Sequence, residues 1–139
     1  MDRVIGSGMM LPALCVGIVA AAPAAAQDPF GPLAPFRPGV AQASRAATCA
    51  TLPDWVAFAP KGSEPVSLTI RGRISVIESG SAPAQLVLCE PGDVQVTCIA
   101  TAIGDRKPGD GVVLTGLYRR EGARQVVLSR CIATDPTPP

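Results

Sequence analysis

Residues Val66–Val76 read VSLTIRGRISV, and the fold turns on how that stretch is taken. Val66, Leu68, Ile70, Gly72, Ile74 and Val76 alternate with Ser67, Thr69, Arg71, Arg73 and Ser75. Period two over this length predicts a long strand with one buried face. Gly72 falls on that buried face at mid-strand, where glycine marks a bend, a bulge or a close approach. Such a strand serves both halves of a coiled barrel.

Downstream, the same alternation recurs in shorter runs. Gly80 to Pro83 breaks the chain, and Gln85 to Cys89 is a second strand. Glu90-Pro91-Gly92-Asp93 has Pro and Gly where a type II turn wants them. Val94 to Ala100 is the third strand. A hairpin closed there pairs Cys89 with Val94, Val87 with Val96 and Gln85 with Cys98, which puts Val87, Cys89, Val94, Val96 and Cys98 on one inner face. Gly104 to Gly111 (GDRKPGDG) is a loop too short for a helix. Val112 to Tyr118, broken by Gly116, is the fourth strand. Arg119-Arg120-Glu121-Gly122 turns the chain, and Gln125 to Cys131 is the fifth.

Upstream, Val4 to Ala26 carries no charge and ends in Ala24-Ala25-Ala26 before Gln27. Small residues at −3 and −1 predict a signal peptide, residues 1–26, cut after Ala26. The alternative is an uncleaved inner-membrane anchor, since the run is long enough to span. Gln27 to Gly39 (QDPFGPLAPFRPG) has four prolines and two glycines, which preclude a helix or a central strand. Residues 27–48 therefore read as a Pro/Ala-rich linker, partly disordered, whose first part is an extended mobile arm. Phe30, Leu33 and Phe36 give that arm a second reading as a docking segment. Val40 to Thr48 has the composition for two turns of helix. Trp55, the only Trp, and Phe58 either cap a small barrel or line a ligand pocket. Residues 49–132 form the domain with its lid, and 133–139 a disordered tail.

Composition narrows the chemistry. The chain has 139 residues, room for one domain. Lys and Arg total 12 against 11 acids, so no net charge calls for a polyanionic partner. Histidine is absent, which removes the commonest general base and metal ligand. No phosphate loop is present, because Lys107 is followed by Pro108 and no Ser or Thr. Asp105 and Asp110 are turn formers before they are paired carboxylates. No catalytic residue, cofactor or metal site is expected.

Past the expected cleavage site the cysteines are Cys49, Cys89, Cys98 and Cys131. An even number in an exported small domain predicts two disulfides. Cys89 and Cys98 sit about four residues apart in the hairpin register, too far at ~3.3 Å per residue to be bridged. The other two connectivities remain open. No CxxC and no His support a redox or metal reading.

The bent first strand with Gly72, the hairpin, "KPGDGVVLTGLY" and "RQVVLSRC" resemble the oligonucleotide/oligosaccharide-binding (OB) fold. More narrowly they resemble exported bacterial OB-fold proteins, the tRNA-anti-like group. Gly109, Asp110, Val113, Gly116, Leu128 and Cys131 carry the likeness, over about half of the chain. The resemblance implies an all-β, small five-stranded OB-like barrel behind the signal helix and Pro-rich arm. It places strands three and five side by side, which implies Cys98–Cys131, and Cys49–Cys89 then fastens the lid. The usual helix between strands three and four has no room, so the Trp55–Phe58 segment is the expected plug.

OB folds that bind single strands use aromatic platforms and a basic groove. Between Glu64 and Ile132 the only aromatic is Tyr118. Arg71, Arg73 and Arg130 are the candidate anion site, with Tyr118 and Trp55 as ligand contacts. The alternative is an ordinary solvated strand face. The function expected is a non-enzymatic, periplasmic or secreted binding module. Its partner would be an envelope protein, glycan or small ligand, and the membrane is met only transiently through the signal peptide. The alternatives are a scaffold contacting its partner through the Pro-rich arm, or a weak nucleic-acid or anion binder.

Overall fold

A computed structural model describes residue 17 and residues 30–80 and 82–137. The signal segment with its cut after Ala26, and the end of the tail, lie outside the described residues. Within them the order is β1 (Phe36–Pro38), β2 (Ala47–Thr48), α1 (Leu52–Ala57), β3 (Val66–Glu78), β4 (Ala84–Leu88), β5 (Gln95–Ala100), β6 (Gly111–Gly122) and β7 (Gln125–Thr134).

The alternating stretch is β3, and it pairs on both edges. Its first half lies antiparallel to β6, from Ser67↔Leu117 to Arg73↔Gly111, and its second half antiparallel to β4. From β4 the sheet runs to β5, to β7 and to β6, which returns to β3. That path closes an all-β, five-stranded barrel with the OB-like order. The β5–β7 pair is parallel and the other barrel pairs are antiparallel. Leu68, Ile70, Ile74, Leu86, Leu88, Val96, Leu114 and Leu128 fill the interior. No helix among the described residues is long and apolar enough to cross a membrane.

Both disulfides form as the resemblance implied. Cys98–Cys131 staples the parallel β5–β7 pair with Cα atoms 5.5 Å apart, and Cys49–Cys89 ties the lid to the end of β4 with Cα atoms 5.6 Å apart. Gly72 serves the second bridge. A Cβ there would stand 3.0 Å from the Cys49 sulfur and 3.1 Å from Leu88. Close approach is therefore the right reading of that glycine.

The 90–93 turn forms as expected. Asp93 N–H donates to the Glu90 carbonyl at 3.1 Å, and Gly92 has the positive φ of 101° that only glycine adopts easily. The hairpin register, however, is one residue off the expectation. Leu86 faces Cys98 and Leu88 faces Val96, so Leu86 and Leu88 point inward and Val87 is only half-buried. A one-residue slip exchanges the two faces of a strand. Cys89 leaves the ladder in a left-handed conformation, φ 72°, which lengthens the loop by that residue.

Two bulges explain other departures. Ser75 is the extra residue between the Ile74↔Leu88 and Val76↔Val87 pairs, and its hydroxyl donates to the Val87 carbonyl at 3.0 Å. Beyond it the faces exchange, so Val76 is exposed and Ile77 packs on the core. In β7 the extra residue is Arg130, φ 50°, between the Ser129 and Ile132 pairings. Gly116 lies opposite. A Cβ on it would meet the Ser129 carbonyl oxygen at 2.9 Å. Gly116 does not break β6, then. It lets an unbroken strand pass the bulge.

The N-terminal segment differs most. Part of the stretch expected as a solvated linker is a wrap on the barrel. Phe36–Pro38 pairs with Val66–Leu68, and Ala47–Thr48 pairs with Ile70–Arg71, on the edge of β3 that β4 leaves open. Pro38 is compatible with this because an edge strand needs few donors. Residues 40–46 form no helix. Ser67 and Thr69, read as solvent-facing, are buried under the wrap. The Ser67 hydroxyl donates to the Ala41 carbonyl (2.6 Å) and accepts from the Ala41 N–H (3.1 Å), while Thr69 accepts from Ala43 N–H (2.9 Å).

The short helix α1 packs on the core, but with other side chains than the expected Trp55–Phe58 pair. Leu52 and Val56, one turn apart, are buried, and Trp55 is half-buried against the core. Phe58 falls past the helix end and is 84% exposed. At the other end, β7 continues through Thr134, paired with Val113, so the ordered domain runs past residue 132.

Candidate functional site

The far end of β6 is paired on one side only. β6 outruns β3: their last pair is Ser67↔Leu117, while β6 goes on to Gly122 with only β7 beside it. The residues Arg119 to Gly122, expected to be a turn, are strand because Val126 and Val127 pair with Arg120 and Arg119. The turn itself shrinks to Ala123 and Arg124. Opposite the overhang passes the loop between α1 and β3.

Two adjoining clefts of about 310 Å³ each lie between that loop and β6, sharing Pro60, Gly62, Tyr118 and Arg119 as walls. One continues over Leu117 and Val127 on the outer sheet face. The other reaches Val56, Ala59, Lys61 and Arg120, and no acidic side chain lines it.

Tyr118 stands at their junction. Its ring packs edge-on against Phe36 with centroids 5.3 Å apart, and Phe36 is in turn tilted against Phe30 at 6.4 Å. Burial pushes the Tyr118 phenol above its ordinary pKa, and the Arg120 guanidinium partly opposes that rise. The phenol is therefore neutral at physiological pH and offers a donor and an acceptor together with a ring face. Arg119 forms an ion pair with Glu121. Arg120 donates to the Gly122 carbonyl at 3.1 Å, which braces the hairpin tip.

The other expected ligand residues go elsewhere. Trp55 packs on the core and borders neither cleft. Arg71 lines a separate hollow beside Ser44, Arg45 and Thr48 of the wrap. Arg73 lies one repeat further along β3, opposite Gly111. Arg130 occupies the β7 bulge, level with Gly116. From Arg71, opposite Val113, that is three residues along the barrel and two strands across, each about 10 Å. Arg71 and Arg73 thus share one face of β3, and Arg130 stands apart from them.

Lys61, Arg119 and Arg120 are the cations gathered round Tyr118, and the sequence reading passed over them. A signal did exist: two adjacent arginines directly follow the only aromatic of the barrel strands. Turn chemistry at Glu121-Gly122 masked it.

The acidic loop is structural. Lys107 N–H donates to the Asp110 carboxylate at 2.9 Å, and Asp110 C=O and Gly109 N–H bond to Ile74 of β3. Arg106 ties this loop to β7 through the Ala133 carbonyl and Asp135. Among the described residues no group of three or more His, Cys, Asp or Glu is placed to hold a metal ion. No protein-family model matches the chain, and no curated protein matches it either.

Proposed function

We propose that this chain is an exported, disulfide-locked OB-like binding module of the cell envelope, without catalytic machinery, allied to the exported bacterial OB-fold proteins of the tRNA-anti-like group. It would hold an envelope protein, glycan or small ligand at the Tyr118 cleft. The observation that carries this reading is the cleft itself. It is an open, partly apolar groove with a half-buried aromatic, three cations and Glu64 at its walls, on a closed barrel. Binding sites combine such apolar walls with a few placed polar groups. Two disulfides fit an oxidising compartment, and the uncharged stretch before Gln27 fits export. The alternative contact, the Pro-rich arm, has less support because Phe36 is already buried and Phe30 packs on the core, which leaves Leu33 as its exposed apolar side chain among the described residues.

Expression of the full chain with its own N-terminus tests the proposal. Non-reducing mass spectrometry of the exported product should give a new start at Gln27 and two disulfides. Oligouronates, dicarboxylates and model peptides are then titrated while the amide resonances of Tyr118–Arg120 are followed. Four free thiols in a folded product would overturn the export half. A panel none of whose members moves those resonances would overturn the binding half.

A further inference from the structure

We infer that the overhanging edge of β6, Tyr118–Gly122, is a docking slot for an extended acidic peptide segment, which joins the barrel as an added strand. This rests on the binding-module reading and names the partner's chemistry.

The backbone makes the first part of the case. No strand among the described residues pairs with β6 on the β3 side beyond Leu117. A strand edge of this kind presents a row of backbone donors and acceptors, a template for one more strand. The molecule shows that it accepts such an addition. On an open edge of β3 the chain lays down its own segment Phe36–Pro38, antiparallel and in register, despite Pro38. The β3 edge is filled from within. The β6 edge has a cleft beside it.

The side chains supply the second part. Charged residues on a strand edge can serve only to repel other edges. Such a defence needs no groove. Here the edge borders a hollow of about 310 Å³ with Val56, Ala59 and the Tyr118 ring among its apolar walls. Around it stand Lys61, Arg119 and Arg120, with no acid lining that hollow, while Glu64 lines the adjoining one. Arg119 shares its charge with Glu121, which leaves Lys61 and Arg120 as the cations without an ion-pair partner among the described residues. An added strand alternates its side chains between two faces. On β6 itself Tyr118 and Arg120 project to one face and Arg119 to the other, so carboxylates of an added strand meet a cation on either face, and its apolar residues meet the Tyr118 ring and Val56 on the Tyr118 side.

A blocked octapeptide of alternating Glu and Val is the probe. Three comparators go with it: the same peptide N-methylated at alternate residues, its Lys/Val counterpart, and an oligouronate of equal charge. The Glu/Val peptide should slow amide exchange within Tyr118–Gly122. N-methylation on the ladder side, or the Lys/Val exchange, should each weaken binding by about tenfold or more, as loss of several backbone or charge-assisted hydrogen bonds implies. Arg119→Glu with Arg120→Glu, both on exposed positions, should weaken the Glu/Val peptide by a similar factor and strengthen the Lys/Val one. Equal binding of the N-methylated and parent peptides, or protection outside β6, overturns the strand-addition proposal. Oligouronate binding at the cleft without peptide binding also overturns it, and leaves the binding-module reading standing. Binding by none of the probes overturns both.

Discussion

The barrel and its N-terminal wrap are ordered by different means. The barrel strands share long ladders, and their apolar faces meet inside. The wrap, residues 34–58, has five residues of strand pairing and one six-residue helix. Its order comes from Ser67 and Thr69 reaching out of the barrel, from three buried anchors (Phe36, Leu52, Val56) and from Cys49–Cys89. A segment with poor intrinsic propensity is thus fixed by a strand that already has a fold. The two bridges differ accordingly: Cys98–Cys131 joins barrel strands already bonded to each other, whereas Cys49–Cys89 joins the wrap to the barrel.

Separate removal of the bridges should divide the regions most clearly. Cys98→Ala with Cys131→Ala should cost about 3–4 kcal/mol of global stability, as a closed loop of that length implies, read as a shift in the denaturant midpoint. Cys49→Ala with Cys89→Ala should instead speed amide exchange over residues 34–58 while the β5–β7 ladder keeps its protection. Identical exchange profiles for the two variants would mean that wrap and barrel unfold as one unit.

Gly116→Ala tests the barrel alone. Its new methyl meets backbone at the β7 bulge, so the expected loss is about 1–3 kcal/mol, with no selective opening of the wrap. A neutral result would show that β7 can move away, and that the bulge is not held by the ladder.

Ser67→Ala tests the wrap alone. It strips partners from the Ala41 N–H and C=O and should cost about 1–2 kcal/mol, seen first as faster exchange at Ala41. Unchanged exchange there would move the credit for holding the wrap to Phe36 and the helix.

The smallest effect lies at the seam, where Tyr118 meets Phe36. Tyr118 is the only tyrosine, so absorbance near 295 nm titrates it alone. Its folded pKa is raised, so its contribution to stability is complete below the ordinary tyrosine value of about 10. That contribution fades as pH climbs from there through the raised folded value. Arg120→Gln should move the tyrosinate titration further upward. A titration at or below the ordinary value would place the ring in solvent and loosen the seam.

Much of the barrel was legible beforehand. The alternation from Val66 to Ile74, the Glu90–Asp93 turn and the even cysteine count are local signals, and the main strands, the turn and the number of bridges follow from them, while the pairing of the cysteines came from the fold resemblance. Register was not legible. Leu86, Val87 and Leu88 are all apolar, so the pattern could not say which faces inward, and closure of the barrel against Val96 and Cys98 decided it. Ser67 and Thr69 looked like a wet face because hydroxyls bonded to a covering backbone and hydroxyls bonded to water are the same letters. The site was split in the same way. Tyr118 stood out as the lone aromatic, but its partners Lys61 and Arg120 are nearly sixty residues apart in the chain.

The sequence by itself determined a β-rich, cysteine-bridged small domain without histidine chemistry, since alternation, turn residues and composition act locally. Only the tertiary structure decided the inward faces, the docking of the wrap and the overhang of β6. Those depend on which strands meet and where each one stops, and such long-range pairings leave no period in the chain.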